Sequence, residues 1–161
     1  MYSLLGICFV TVSAMLLCRA SGLYYEEKIR QYNDILSFLV LIRYRIDSSA
    51  SKISSILNDV PENSYLCICG FIELARSEGL YAAFLKYEKN MFLENDDKKL
   101  ISEYFLNFGK NFLLHEIEKT NRCIIGFEAS LGQLKDKLPQ KKKINMTVIV
   151  SGAALFIIIF I

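Results

Sequence analysis

The residues that could do chemistry are few and scattered. The chain has one histidine, His115, followed directly by Glu116 and three residues on by Glu118. An imidazole beside carboxylates can move a proton. A lone histidine near a helix start, however, is ordinarily solvated or packed, and no second one exists to build a metal set. The five cysteines are Cys8, Cys18, Cys67, Cys69 and Cys123. An odd count at irregular spacing does not make a disulfide framework. Cys67 and Cys69 form a C-x-C with no second pair, which is too little for a zinc site. Cys8 and Cys18 lie in an apolar run, where cysteine acts as a small hydrophobe. Free thiols fit a reducing compartment. The sequence carries no glycine-rich phosphate loop, paired metal motif or nucleophile elbow. It therefore predicts a non-enzymatic protein with no catalytic, cofactor-binding or metal residues.

Charged side chains offer recognition instead. Glu26, Glu27, Lys28, Arg30, Arg43 and Arg45 bracket one long helical stretch. Mixed charge on a helix is usually a solvated face; its functional alternative is a docking surface for a partner protein. Lys141, Lys142 and Lys143 form the densest basic run. With a net charge of only +2, nothing points to nucleic acid. Three lysines abutting an apolar stretch read as a membrane-surface anchor.

The elements that hold these charges begin at the two ends. Hydrophobic residues make up 53% of the 161-residue chain, above the share usual in soluble domains, and the excess is terminal. Tyr2 to Leu17 carries no charge and is closed by Arg19. As a helix it reaches roughly 26 Å, enough to cross a bilayer with slight thinning. Ile144 to Ile161 is likewise uncharged and reaches roughly 27 Å. Gly152, Ala153 and Ala154 form a small-residue patch within it. Arg19 and the three lysines lie on the inner flanks, so the positive-inside rule places the middle of the chain in the cytoplasm and both termini outside. The expected division is residues 1–19 as the first span, 20–140 as a cytoplasmic helical domain, and 141–161 as basic flank and second span. A cleaved signal peptide is the rival at the first end, but the apolar run lacks a preceding positive charge.

The middle reads as all-α, a bundle of about six helices between two terminal transmembrane helices. Ile29, Tyr32, Leu36, Leu39, Arg43 and Ile46 line one helix face over 23–46, with Ile35 and Ile42 widening it. Ser48, Ser49, Ala50 and Ser51 form a break. A short helix with Ile53, Ile56, Leu57 and Val60 stops at Pro61. Asn63 or Ser64 caps the next, which carries Tyr65, Ile68, Ile72 and Ala75 and ends at Gly79. Leu80, Ala83, Phe84, Tyr87 and Met91 belong to another segment. Asn95-Asp96-Asp97 opens a helix with acidic groups at its positive end. Tyr104, Phe105, Phe108 and Phe112 read as core. Ile117, Ile124, Leu131 and Leu138 repeat every seven residues over a helix spanning 113–138, which Pro139 is expected to end.

This layout resembles the stage III sporulation protein AB family. The resemblance rests on Leu4-Leu5-Gly6 in the first anchor, Ile29-Arg30-Gln31 with Leu36 and Leu39, Phe108-Gly109 followed by His115-Glu116, the lysine cluster, and Gly152 before a run of isoleucines. It departs from the family pattern at Arg45, Ser48 and Lys52-Ile53, and at Leu113, where glycine is common. The resemblance implies a soluble domain like that of type II secretion platform proteins. It also implies a place in the sporulation channel between mother cell and forespore, on the mother-cell side, as an adaptor for a cytoplasmic secretion-type ATPase and other membrane components. A second reading is a membrane-tethered helical sensor or regulatory domain unconnected to secretion, and a third is a secreted helical factor held by its C-terminal span.

Overall fold

The computed structural model describes residues 2–49, 53–110 and 112–160. The expected hydroxyl caps in the break at Ala50 and Ser51, and the departure at Lys52, lie outside the described residues. All the regular elements among them are helices: α1 Tyr2–Ser49, α2 Ile53–Asn58, α3 Tyr65–Ile68, α4 Phe71–Glu78, α5 Leu80–Tyr87, a 3-10 turn Glu88–Asn90, α6 Asn95–Asn107 and α7 Leu113–Phe160. The chain divides into two compact units, residues 28–132 and residues 1–27 with 133–161.

In the unit formed by residues 28–132, the core follows helical periodicity, but the buried stripe on α1 sits to one side of the one expected. Tyr32, Ile35, Leu39, Ile42 and Ile46 are buried, whereas Ile29 and Leu36 are half-buried and Arg43 is exposed. Turning the helix this way buries β-branched and leucine side chains and leaves the guanidinium in water, where no desolvation cost arises. On α7, Ile124, Phe127 and Leu131 are buried, with Thr120 and Cys123 beside them. An aromatic cluster closes the far side: Phe105 packs against Phe38, Phe71, Phe84 and Tyr104, with centroids 5.6 to 6.4 Å apart.

The short helices are set by their caps. The Ser64 hydroxyl accepts from the Leu66 N–H at 3.3 Å and starts α3. The helix expected to run from there to Gly79 is broken in two, because Gly70 adopts φ +83°. A Cβ at position 70 would stand 2.8 Å from the Tyr87 hydroxyl. Gly70→Ala is therefore expected to cost more than about 1 kcal/mol, read as a lower urea midpoint; an unchanged midpoint would contradict this packing. Gly79 ends α4 as expected, its N–H reaching the Ala75 carbonyl.

Two expectations are corrected. Pro139 does not end its helix: α7 continues through it to Phe160. Proline removes one backbone donor and crowds the carbonyl four residues back. Lys135 and Pro139 are exposed, so solvent can take up the freed Lys135 carbonyl. Phe112 is not core; it is 92% exposed and stands just before α7, while Tyr104 and Phe105 are buried and Phe108 half-buried. Proximity of the next helix start leaves Phe112 outside the periodicity that buries the other three.

In the other unit, apolar side chains face outward. Phe9, Met15 and Leu16 on α1 and Val148 and Ile158 on α7 are all exposed. Asn145 Nδ2 donates to Ser21 Oγ at 3.3 Å and Tyr25 Oη at 3.2 Å, joining the two terminal stretches. Among the described residues, α1 is the one helix long and apolar enough to cross a membrane, with a mean hydropathy of 1.7 over its most apolar 18 residues. Ile161, which closes the second apolar stretch, lies outside the described residues.

Candidate functional site

The charged residues singled out around the first long helix do not form one open face. Lys28 is buried and its ammonium pairs with Glu94. Two neighbours on α1 work alongside it. The Gln31 side-chain oxygen accepts the Phe92 N–H at 2.8 Å, and the Tyr32 hydroxyl oxygen accepts the Glu94 N–H at 3.0 Å. Lys28 is thus occupied in fixing the segment that leads into α6. Arg45 is half-buried and bound to Asp59 at 2.5 Å, which ties the end of α1 to the turn after α2. Glu26, Arg30 and Arg43 remain exposed, and Glu27 is half-buried. Arg19 and Lys141, Lys142 and Lys143 are exposed at the polar edges of the terminal apolar stretches.

A buried polar centre was missed by sequence reasoning. Asp97, read as a dipole-favourable residue in the first turn of α6, is only 5% exposed. Its two carboxylate oxygens accept from the Tyr32 hydroxyl at 2.5 Å and the Ser130 hydroxyl at 2.6 Å. One carboxylate thereby links α1, α6 and α7. Burial, and then the bond given to Asp97, push the Tyr32 hydroxyl well above its ordinary value. Both effects favour a hydroxyl that keeps its proton and donates it in a hydrogen bond, rather than one that ionises. A second link joins Tyr104 to Thr120 at 2.9 Å, and the Thr120 hydroxyl also reaches the Glu116 carbonyl. The signal available in sequence was an aspartate facing a tyrosine stripe, which periodicity alone does not pair.

Cys67, Cys69 and Cys123 are held as neutral thiols. His115 is exposed, 3.8 Å from Glu118. Burial raises the thiols of Cys67 and Cys69, which are half-buried. Burial pushes the Cys123 thiol up to about 12. Below its ordinary value of 9.0 the thiol is neutral whether the protein is folded or not. As pH climbs from there towards 12 the unfolded chain loses this proton first, so the stabilising contribution is lost across that window. Unfolding midpoints are therefore expected to fall above pH 9, less so in Cys123→Ala, and Cys123 should resist iodoacetamide at pH 8 until the protein is denatured. Rapid alkylation of the folded protein would contradict its burial.

This combination of a helical unit and long terminal helices rich in exposed apolar side chains matches a known family. The model described as stage III sporulation protein AB covers residues 3–161. The chain belongs to the stage III sporulation protein AB family. No curated protein and no solved structure is a significant match to it. Membership makes it a sporulation-related protein. The match runs through both terminal helices as well as the unit between them, so the stage III sporulation protein AB pattern includes the apolar ends and the basic flank at Lys141–Lys143.

Proposed function

We propose that the chain is a non-enzymatic platform or adaptor of a sporulation membrane assembly, anchored by a span at each end, with its helical unit in the cytoplasm docking a secretion-type ATPase. Family membership over residues 3–161 carries this reading. Outward-facing apolar side chains on both terminal stretches support it, because exposed apolar surface on this scale suits lipid rather than water as solvent. The inner-flank placement of Arg19 and the three lysines supports the orientation. Burial of the Cys123 thiol and the raised thiols of Cys67 and Cys69 suit a structural role.

Within residues 28–132 the docking face centres on the exposed side chains of Arg30 and Arg43. The experiment is affinity purification of the full chain from membranes of sporulating cells. A secretion-type ATPase should co-purify, and reversing Arg30 and Arg43 to glutamate should weaken that association. Recovery of intact protein with no ATPase would overturn the docking role.

A further inference from the structure

Two features of the unit formed by residues 28–132 serve no purpose within one copy, and they complement each other. The first is a projection. Phe112 is 92% exposed and Leu114 81%, with exposed Lys110 two residues earlier. The projection is not a loose tail: the Phe112 carbonyl accepts the N–H groups of His115 and Glu116 at 2.9 and 3.1 Å, fixing it to the first turn of α7. A phenylalanine and a leucine held out in water lose the burial that normally stabilises them.

The second feature is a cleft of about 310 Å³ between α1 and the turn that follows α2. This is the size of pockets that hold small ligands, about 300–1,000 Å³. Leu41 and Pro61 give it an accessible apolar lining over the buried Phe38 and Val60, and Asp34 and Asp59 supply carboxylates. Asp34 spends one oxygen on the Tyr65 N–H at 2.7 Å, and Asp59 is engaged by Arg45. The cleft therefore offers an apolar surface for a ring, with negative charge beside it for a cation. An aromatic ring followed by leucines, two residues from a lysine, is what the projection presents.

We propose that the projection of one copy seats in the cleft of a second copy, with Phe112 against Leu41 and Pro61 and Lys110 towards Asp34. Projection and cleft are different surfaces, so the contact is head-to-tail. Such a contact propagates into a ring if the rotation closes and into a row if it does not. It does not depend on the ATPase-docking role and stands or falls separately.

The test replaces Phe112 with photoreactive p-benzoylphenylalanine in the full chain and irradiates living cells. At a position this exposed the replacement leaves the fold intact. The expected product is a covalent dimer whose cross-link maps to residues 34–41 or 59–64 of the second copy. Ser37→Trp, which fills the cleft from an exposed position, should cut the dimer yield by about tenfold or more, and Lys110→Glu should lower it too. Cross-links only to lipid, only to another protein, elsewhere on the second copy, or none at all would overturn the proposal. So would a dimer unaffected by Ser37→Trp in a protein of native helical content.

Discussion

Asp97→Ala is expected to remove roughly 3–6 kcal/mol of stability, because hydrogen bonds to a charged group contribute about 1.5–3 kcal/mol each and Asp97 accepts two. The substitution strands the Tyr32 and Ser130 hydroxyls, and Tyr32 lies in the core at 1% exposure. Since a small domain is held by only about 5–15 kcal/mol, such a loss brings the unit close to unfolding. Tyr32→Phe loses the bond to Asp97 and the one accepted from the Glu94 N–H, but it should cost less because Asp97 keeps its bond from Ser130. The double variant should fall short of the sum of the two, as expected for residues that share a bond. Urea unfolding of the full chain in detergent, followed by far-UV circular dichroism, reads all three. A loss below about 1 kcal/mol for Asp97→Ala would show that the carboxylate is not the joint between α1, α6 and α7.

Phe105→Ala carries the second large effect, about 3–5 kcal/mol for truncating a buried phenylalanine. The ring sits among Phe38, Phe71, Phe84 and Tyr104, contributed by α1, α4, α5 and α6. The space between these rings is already nearly filled, with a void of about 10 Å³, so a removed ring leaves a cavity that cannot collapse without moving several helices. Phe105→Leu keeps much of the volume and should cost under about 1.5 kcal/mol. The same unfolding experiment separates the two. Equal losses for alanine and leucine would mean that ring shape, not volume, is what the cluster requires.

Much of the helical layout was legible because it depends on local signals. Ser64 and Gly79 announce their caps, and of the sevenfold series Ile117, Ile124, Leu131 and Leu138 the middle two are buried on α7 while the outer two are half-buried. Three features were not legible, each for a physical reason. Gly70 breaks a helix through a left-handed turn that hydrophobic spacing does not encode. Pro139 is tolerated mid-helix because its surroundings are solvated, a fact of environment rather than of sequence. The roles of Asp97 and Lys28 are set by residues some 65 positions distant, Tyr32 and Glu94, and pairing across that separation appears only once the helices are packed. The candidate partner surface changes for the same reason, since Lys28 and Arg45 are engaged by Glu94 and Asp59.

The proposed membrane placement puts the helical unit at the cytoplasmic face. It is tested most directly by placing a cysteine at exposed Glu78 of the full chain and treating intact cells with a membrane-impermeant maleimide. The protein should sediment with membranes, resist alkaline carbonate extraction, and gain label at Glu78→Cys over the unsubstituted chain only after lysis. Labelling of Glu78→Cys in intact cells, or release of the protein by carbonate, would contradict the account.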